Sequence, residues 1–318
     1  MPAKRIGFVL IDGYALMSTA AAMEPLRAAN LFAGRPLYHL TCLSMPGGPA
    51  RSSLGSSFKT QPITARDTQF DMVFVVAGGD ALAVRDRTLF IWLRHLDRKG
   101  VVLGGISSGS AILAQAGLME NRRFTIHWHH LAGLRALSDR YLVEQRLYVI
   151  DRDRYTCAGG TAPLDMMHAI LSAEHGVAFA QRISDWFIQT EIRVSDAPQQ
   201  ASIAARYGHP PRPVLEALAL MESHIADPLD LGQIAQLAGL SPRQLQRQFR
   251  DALGHSVMES YRNIRLETAH GLLAQSRLSL TEIAQLTGFT AQSHFSDAYR
   301  RRYGAPPSRN RAGMAPHG

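Results

Sequence analysis

The sequence predicts an α/β amino-terminal domain, with a mostly parallel sheet and helices on both faces, followed by an all-α domain built from two helix-turn-helix units. Three observations carry this expectation. Short β-branched and aromatic runs alternate with helical patterns as far as residue 192. The pattern then fails in Arg193-Val-Ser-Asp-Ala-Pro-Gln-Gln and Tyr207-Gly-His-Pro-Pro-Arg-Pro213, which read as an interdomain linker. Beyond it one phrase occurs twice, Ile234-Ala-Gln-Leu-Ala-Gly239 and Ile283-Ala-Gln-Leu-Thr-Gly288, so a small helical unit is used more than once. The expected division is a first domain over 1–192, a linker over 193–212, a second domain over 213–310 and a tail over 311–318.

In the first domain the apolar runs at 5–11, 37–43, 72–76, 101–103 and 155–157 have the character of strands buried on both faces. Helical patterns at 20–30, 89–98, 110–116 and 162–172 lie between or after them. In such sheets the working site sits at the carboxyl ends of the strands. Three glycine turns fall there: Ala77-Gly78-Gly79-Asp80, Gly104-Gly105-Ile106-Ser107-Ser108-Gly109 and Ala158-Gly159-Gly160-Thr161. The middle one, Gly105-x-Ser107-x-Gly109, has the pattern of a nucleophile elbow, in which glycines permit a sharp turn that pushes the central side chain into the site.

The repeated unit starts with a capping box in both copies, Asp230 with Gln233 and Ser279 with Glu282. Ile234, Leu237 and Ala238, like Ile283 and Leu286, are expected on one inward face, and Gly239 and Gly288 end the helices. Ser241-Pro242 and Thr290-Ala291 are expected to open the two following helices. In these, Leu245 and Phe249, then Phe295 and Tyr299, point inward. The outward positions are Arg243, Gln246 and Arg247, then Gln292, Ser293, Ser296 and Asp297. Arg suits guanine and Gln suits adenine in the major groove, and an acid such as Asp297 can accept from cytosine or a neighbouring arginine. A single copy could be an ordinary helical hairpin; two copies with matching turns favour DNA reading. Between them a helix with Val257, Tyr261, Ile264 and Leu272 near one stripe is long enough to hold two readers about one DNA turn apart.

The formal charge of +8 fits a nucleic-acid partner. From Arg212 onward 12 Arg stand against 9 acidic residues, which leaves +3 there and +5 before it, so the charge is spread and not clustered, which argues against binding by a bulk basic tail. Cys42 and Cys157 lie in strand-like runs, the pattern of reduced thiols in a cytosolic protein. The apolar run ending at Asp12 is too short for a signal peptide, and nothing approaches a membrane span; a soluble, cytoplasmic protein is expected.

Residues of about 212 to 310 resemble the DNA-binding domain of the AraC/XylS family of transcription regulators. The resemblance includes Arg265-Leu266, Ala269 and the ending Gly288-Phe-Thr-Ala-Gln-Ser-His-Phe-Ser-Asp-Ala-Tyr-Arg-Arg-Arg-Tyr-Gly-Ala-Pro-Pro-Ser308. It implies that both second helices contact bases of double-stranded DNA. Residues of about 4 to 190 look like the class I glutamine amidotransferase-like (PfpI-type) fold, through the strand order, Met23-Glu24-Pro-Leu-Arg-Ala-Ala-Asn30, Gly78-Gly79, the elbow and Thr125-Ile-His127-Trp128. In enzymes of that fold the elbow holds a cysteine, frequently followed by histidine; Ser107 and Ser108 stand there instead. A serine hydroxyl does not ionise unaided, so no catalytic residue is assigned.

Three readings of Ser107 stay open: a helix cap, a serine nucleophile served by His127 and Glu24, and a retained pocket that binds without reacting. The third gives the candidate ligand residues Glu24, Gly79, Ser107, Ser108, His127 and Trp128, with amides at the helix start for a carboxylate and Trp128 and Glu24 for a cationic amine. A tryptophan such as Trp128 is more often core than ligand platform. Asp165 is expected to be a cap or a packing-site carboxylate. The run His127-Trp-His-His130 has no carboxylate or cysteine at ligand spacing, so no metal and no cofactor are expected. Together the resemblances imply a homodimeric transcription regulator, an activator, that responds to a small nitrogenous metabolite such as an amino acid, betaine or carnitine-like compound and works with RNA polymerase. The alternatives are a serine amidohydrolase joined to a DNA-binding domain and an architectural DNA-binding protein without ligand.

Overall fold

The computed structural model describes residues 2–64, 69–276 and 278–314. The chain forms two compact units, Met1–Gln199 and Gln200–Gly318. The first contains β1 (Lys4–Leu10), α1 (Leu16–Ala33), β2 (Tyr38–Ser44), β3 (Gly48–Arg51), β4 (Ser57–Pro62), β5 (Met72–Ala77), α2 (Arg87–Arg98), β6 (Val102–Ser107) and α3 (Gly109–Gln115). It continues with β7 (Arg123–Thr125), α4 (Leu131–Leu137), β8 (Leu142–Glu144), β9 (Tyr148–Asp151), β10 (Arg154–Cys157), α5 (Ala162–His175) and α6 (Val177–Trp186). The main sheet has eight strands in the order β3-β4-β2-β1-β5-β6-β10-β9, antiparallel at its two outer pairs and parallel between them; β7 and β8 form a small parallel pair apart.

Strand β5, Met-Val-Phe-Val-Val-Ala, is buried at every position because helices cover both faces of the sheet. One face carries Val9, Val73, Val75 and Leu103 against Leu89, Trp92 and Leu93 of α2 and Ile112 of α3. The other carries Phe8, Phe74 and Ile106 against Leu26 of α1 and Met166 and Ile170 of α5. The registers Ala77↔Ser107 and Ile106↔Cys157 bring the three glycine turns side by side at the carboxyl end of the sheet.

The second unit contains α7 (Ile203–Arg206), α8 (Arg212–Ser223), α9 (Leu231–Leu237), α10 (Pro242–Leu253), α11 (Val257–Gln275), α12 (Leu280–Leu286), α13 (Gln292–Tyr303) and α14 (Pro307–Met314). It has two cores. Val257, Tyr261 and Ile264 in the first half of α11 pack with Ile234, Leu245 and Phe249. Leu266, Ala269 and Leu272 in its second half pack with Ile283, Phe295 and Tyr299. One helix therefore ties two small helix pairs together, each of which is too small to bury its apolar face alone.

Capping boxes form at Asp230–Gln233, Ser241–Gln244, Ser256–Glu259 and Ser279–Glu282. Three expectations need correction. The cap of α13 is Ala291 without a side-chain acceptor, and Thr290 lies before it, because the second turn has one more residue after its glycine than the first. Leu237 and Leu286 are 60% and 40% exposed; Ala235 and Ala284 occupy the inward arc beside Ile234 and Ile283 instead. The stretch read as a linker is fastened at both ends: the Arg193 guanidinium pairs with Asp165 at 2.6 Å, Ser195 accepts from the Leu147 amide at 3.0 Å, and Ile203 and Tyr207 pack on the core of the second unit.

Candidate functional sites

The two helix pairs present equivalent surfaces. Counting Leu245 as Phe295 and Phe249 as Tyr299, the exposed and buried positions of α10 and α13 recur in the same sequence. Arg243 and Arg247 are exposed, as are Gln292, Ser293 and Asp297 at the corresponding side of α13; Gln246 and Ser296 are half-buried. Gln246 accepts from the Val257 amide at 3.4 Å, and Gln292 accepts from the Thr281 hydroxyl at 2.7 Å, so each is steadied by a neighbouring helix. Asp297 occupies the place that Arg247 holds in the first pair, and Arg300 approaches it at 3.4 Å.

The sequence reading left out Arg250, which shares a cleft of about 740 Å³ with Arg243, Gln246 and Arg247. It also left out His294, Arg262 and Arg301, which line a cleft of about 550 Å³ with Asp297 between α11 and α13. For Arg250, His294 and Arg301 the spacing, three or four residues from Arg247 or Asp297, was the signal that could have found them; Arg262 on α11 has no such signal. Arg265 enters the sequence reading only as part of the resemblance, without a role. Its guanidinium donates to the carbonyls of Thr287 at 2.7 Å and Gly288 at 2.6 Å and lies 4.2 Å from the Phe289 ring. It thereby satisfies carbonyls at the end of α12 and fixes the turn that aims α13.

At the carboxyl end of the first unit's sheet, Ser107 has φ 60 and is buried. The glycines around it explain the turn: a Cβ at Gly105 would lie 2.6 Å from Ser110, and one at Gly109 would lie 2.0 Å from the Val75 carbonyl. The α3 cap position is Ser108, not Ser107, and no side chain caps that helix, so the cap reading of Ser107 fails. Ser108 is fully buried, with no hydrogen-bond partner for its hydroxyl among the described residues. Gly79 has φ 55 in the neighbouring turn.

His127 joins the elbow through its backbone amide, which donates to the Ser107 carbonyl at 3.4 Å. Its Nδ1 accepts from the His129 amide at 3.2 Å, so the neutral ring carries its proton on Nε2. Burial and the neighbouring His129 push its pKa down to about 4. A ring whose acceptor nitrogen is already taken by the backbone is poorly placed as a base for Ser107. Trp128 is 40% exposed and tilted against His127, with ring centroids 5.4 Å apart, so it is not core. The Glu24 carboxylate takes Arg27 of the same helix at 2.6 Å and is 43% exposed. The structure therefore gathers Ser107, Ser108, His127 and Gly79 at the carboxyl end of the sheet, with one backbone bond between His127 and Ser107, while the Glu24 carboxylate is engaged by Arg27.

Asp165 is a fully buried tether. It accepts from the Arg193 amide and guanidinium and from Gln189 at 2.6–3.0 Å, and Arg193 also donates to Thr161 in the third glycine turn at 2.8 Å. Gln199, the last residue of the unit, donates to the Thr125 hydroxyl and to the carbonyls of Ile126 and Arg146, and accepts from the Trp128 amide at 2.6 Å. Cys157 ends β10 beneath the elbow; burial pushes its thiol up to about 12. Among the described residues no group of three or more His, Cys, Asp or Glu is placed to hold a metal, and no helix is long and apolar enough to cross a membrane.

The DJ-1/PfpI family matches residues 4–173, and a helix-turn-helix domain matches residues 234–313. The chain is similar to the HTH-type transcriptional regulator GlxA of Rhizobium meliloti, with 44% identity over 313 residues that make up 98% of this chain and 97% of that protein. It is also similar to the HTH-type transcriptional regulator CdhR of Pseudomonas aeruginosa, with 38% identity over 305 residues, 96% of this chain and 90% of that one. Among solved structures, an AraC family transcriptional regulator from Pseudomonas putida shares the fold with a TM-score of 0.55 and 24% identity, covering 58% of this chain and 100% of its own. A THiJ/PfpI family protein from Pseudomonas syringae does so with a TM-score of 0.53 and 18% identity, covering 76% and 92%. The chain belongs to the HTH-type transcriptional regulators in which a DJ-1/PfpI domain precedes an AraC-type helix-turn-helix domain.

Proposed function

We propose that this regulator is an activator whose helices α10 and α13 enter successive major grooves of duplex DNA. In this reading the first unit dimerises and binds a small nitrogenous metabolite of the amino acid, betaine or carnitine kind, and the DNA-bound protein works with RNA polymerase in the cytoplasm. The observation that carries the DNA part is the recurrence of one exposed face on two helices mounted on the two halves of α11. At about 1.5 Å per residue that 19-residue helix is roughly 28 Å long, close to the ~34 Å of one DNA turn.

Arg247→Ala is expected to lose discrimination at particular base pairs, each worth about 1–3 kcal/mol, whereas loss of a phosphate contact lowers affinity evenly across sequences. Gel shifts with a series of mutated sites measure this. A series without position-dependent loss contradicts base reading by α10.

For coupling, residues 193–199 leave the first unit hydrogen-bonded to the turns at Thr161 and at Thr125–Trp128, beside the elbow. A ligand that binds one arrangement of those turns more tightly would favour one setting of the chain that leads to the second unit. The amidohydrolase alternative draws on the φ of Ser107. It requires turnover that Ser107→Ala abolishes, and the engaged Nδ1 of His127 argues against it.

A further inference from the structure

Helices α10 and α13 have 12 residues each, and from Pro242 and Gln292 onward their buried, half-buried and exposed positions coincide one for one. Superposing them sets Arg243 on Ser293, Gln246 on Ser296, Arg247 on Asp297 and Asp251 on Arg301. The frame is repeated and the chemistry is not. In α10 an arginine is followed one turn later by an acid; in α13 the acid comes first and the arginine follows. One place against a groove is thus offered by a guanidinium in the first helix pair and by a carboxylate in the second.

Helix-turn-helix readers touch base edges from the early residues of their second helix. There α10 carries Arg243 and Arg247, whose side chains have no ion pair or hydrogen bond among the described residues. The corresponding stretch of α13 carries Gln292, Ser293, His294, Ser296 and Asp297, and no arginine. An ionised carboxylate only accepts, so it is repelled by O6 and N7 of guanine and by O4 of thymine and suits the amino group of cytosine. The pair of Asp297 with Arg300, at 3.4 Å and with both side chains more than half exposed, is weak and free to open.

An acid in a groove also meets the field of the phosphates, and the cations that offset it stand on its flank. Arg262 of α11 and Arg301 of α13 line the cleft of about 550 Å³ beside Asp297, and neither side chain has an ion pair or hydrogen bond among the described residues. Glu259 of that cleft closes the cap of α11, and its Arg302 pairs with Glu267, so both are already engaged.

We propose that Asp297 is the specificity-determining residue of the second reader: where Arg247 asks for guanine, Asp297 asks for cytosine at the equivalent position, and Arg262 and Arg301 hold the phosphates alongside. The DNA site then consists of two unlike halves in one fixed order, and not of one half repeated. The proposal rests on the reading of α10 and α13 as groove-entering helices and names the base that the second one selects.

The test uses the full-length chain and the duplex it selects from a random pool. Each base pair of that duplex is replaced in turn by the other three, and the affinities of the parent, Asp297→Asn, Asp297→Arg and Arg301→Ala are measured by fluorescence anisotropy over a range of salt. The parent is expected to prefer cytosine by about tenfold at one position of the α13 half. Asn pairs with N6 and N7 of adenine and Arg with O6 and N7 of guanine, so that preference is expected to move to adenine in Asp297→Asn and to guanine in Asp297→Arg, with the α10 half unchanged. A residue that only supports the fold would not move it from one base to another. Arg301→Ala is expected to leave every base preference in place and to lower the slope of log affinity against log salt by about one phosphate contact. One and the same preference in the parent and both Asp297 variants overturns the proposal, as does a changed base preference or an unchanged salt slope in Arg301→Ala. A chain that selects a two-part duplex and gives any of these results loses this inference alone; one that selects no common sequence loses the groove-entering reading with it.

Discussion

His130 is buried at the end of the His127–His130 run, and its Nδ1 has no partner among the described residues. Burial, with the neighbouring histidines adding to it, pushes His130 down to about 3, and burial and His129 push His127 down to about 4. Both rings are neutral in the fold and take up protons near 6.5 once unfolded, so the unfolded state binds more protons below that pH. Their contribution to stability is complete above about 6.5 and is lost as the pH falls from there toward 4 and then 3. The melting point of the first unit is therefore expected to drop between pH 7 and pH 4.5. His130→Leu, which removes one of the two groups, is expected to flatten that limb, and an unchanged pH profile would contradict the linkage. At this scale the sequence was legible where sterics dictate residue type, as in the elbow glycines. It was not legible where a side chain meets distant backbone: nothing near Arg265 or Gln199 in sequence announces carbonyl partners 22 and 73 residues away. Glu24 shows a further limit: its residue type suggests a counter-charge, and only the structure shows that its carboxylate takes Arg27 of the same helix.

The helix pairs were legible as elements because capping boxes and terminal glycines are local signals, and their repetition fixed the register. The strands at the sheet's edge were not. Gly48–Arg51 and Ser57–Pro62 carry Pro, Lys and Gln and lack an apolar run, since an edge strand is covered on fewer sides than β5. The start of α13 was misplaced by one residue for a related reason: turn length, unlike cap chemistry, has no strong signature in this stretch. The Arg265 contacts give an element-scale test. Removing the guanidinium leaves the Thr287 and Gly288 carbonyls without their donors and frees the α12–α13 turn from α11, while the first helix pair keeps its own core. Arg265→Ala is expected to lose protection over one half of a bound DNA site and retain it over the other. Uniform weakening of both halves would show that α11 does not set the two helices separately.

At the scale of the whole chain, the two units were legible from composition and repetition, and the fastening of residues 193–199 was not, because Pro and polar residues mark a loop without saying what it touches. That fastening makes a separable expectation. Gln199→Ala removes bonds to Thr125, Ile126, Arg146 and Trp128 and no side chain of the second unit, so basal DNA affinity should hold while the response of transcription to effector falls by several-fold. Equal induction in parent and variant would remove the exit segment from the path between site and reader. The central claim, that one chain reads DNA with two equivalent helices carried on α11, is tested most directly by selecting duplexes from a random pool with the full-length protein and footprinting the winners with hydroxyl radicals. The expected result is two protected patches on one face of the duplex, about one helical turn apart, with base preference in one patch alone altered by Arg247→Ala. Selection of no common sequence, or a single patch altered evenly by that substitution, would contradict it.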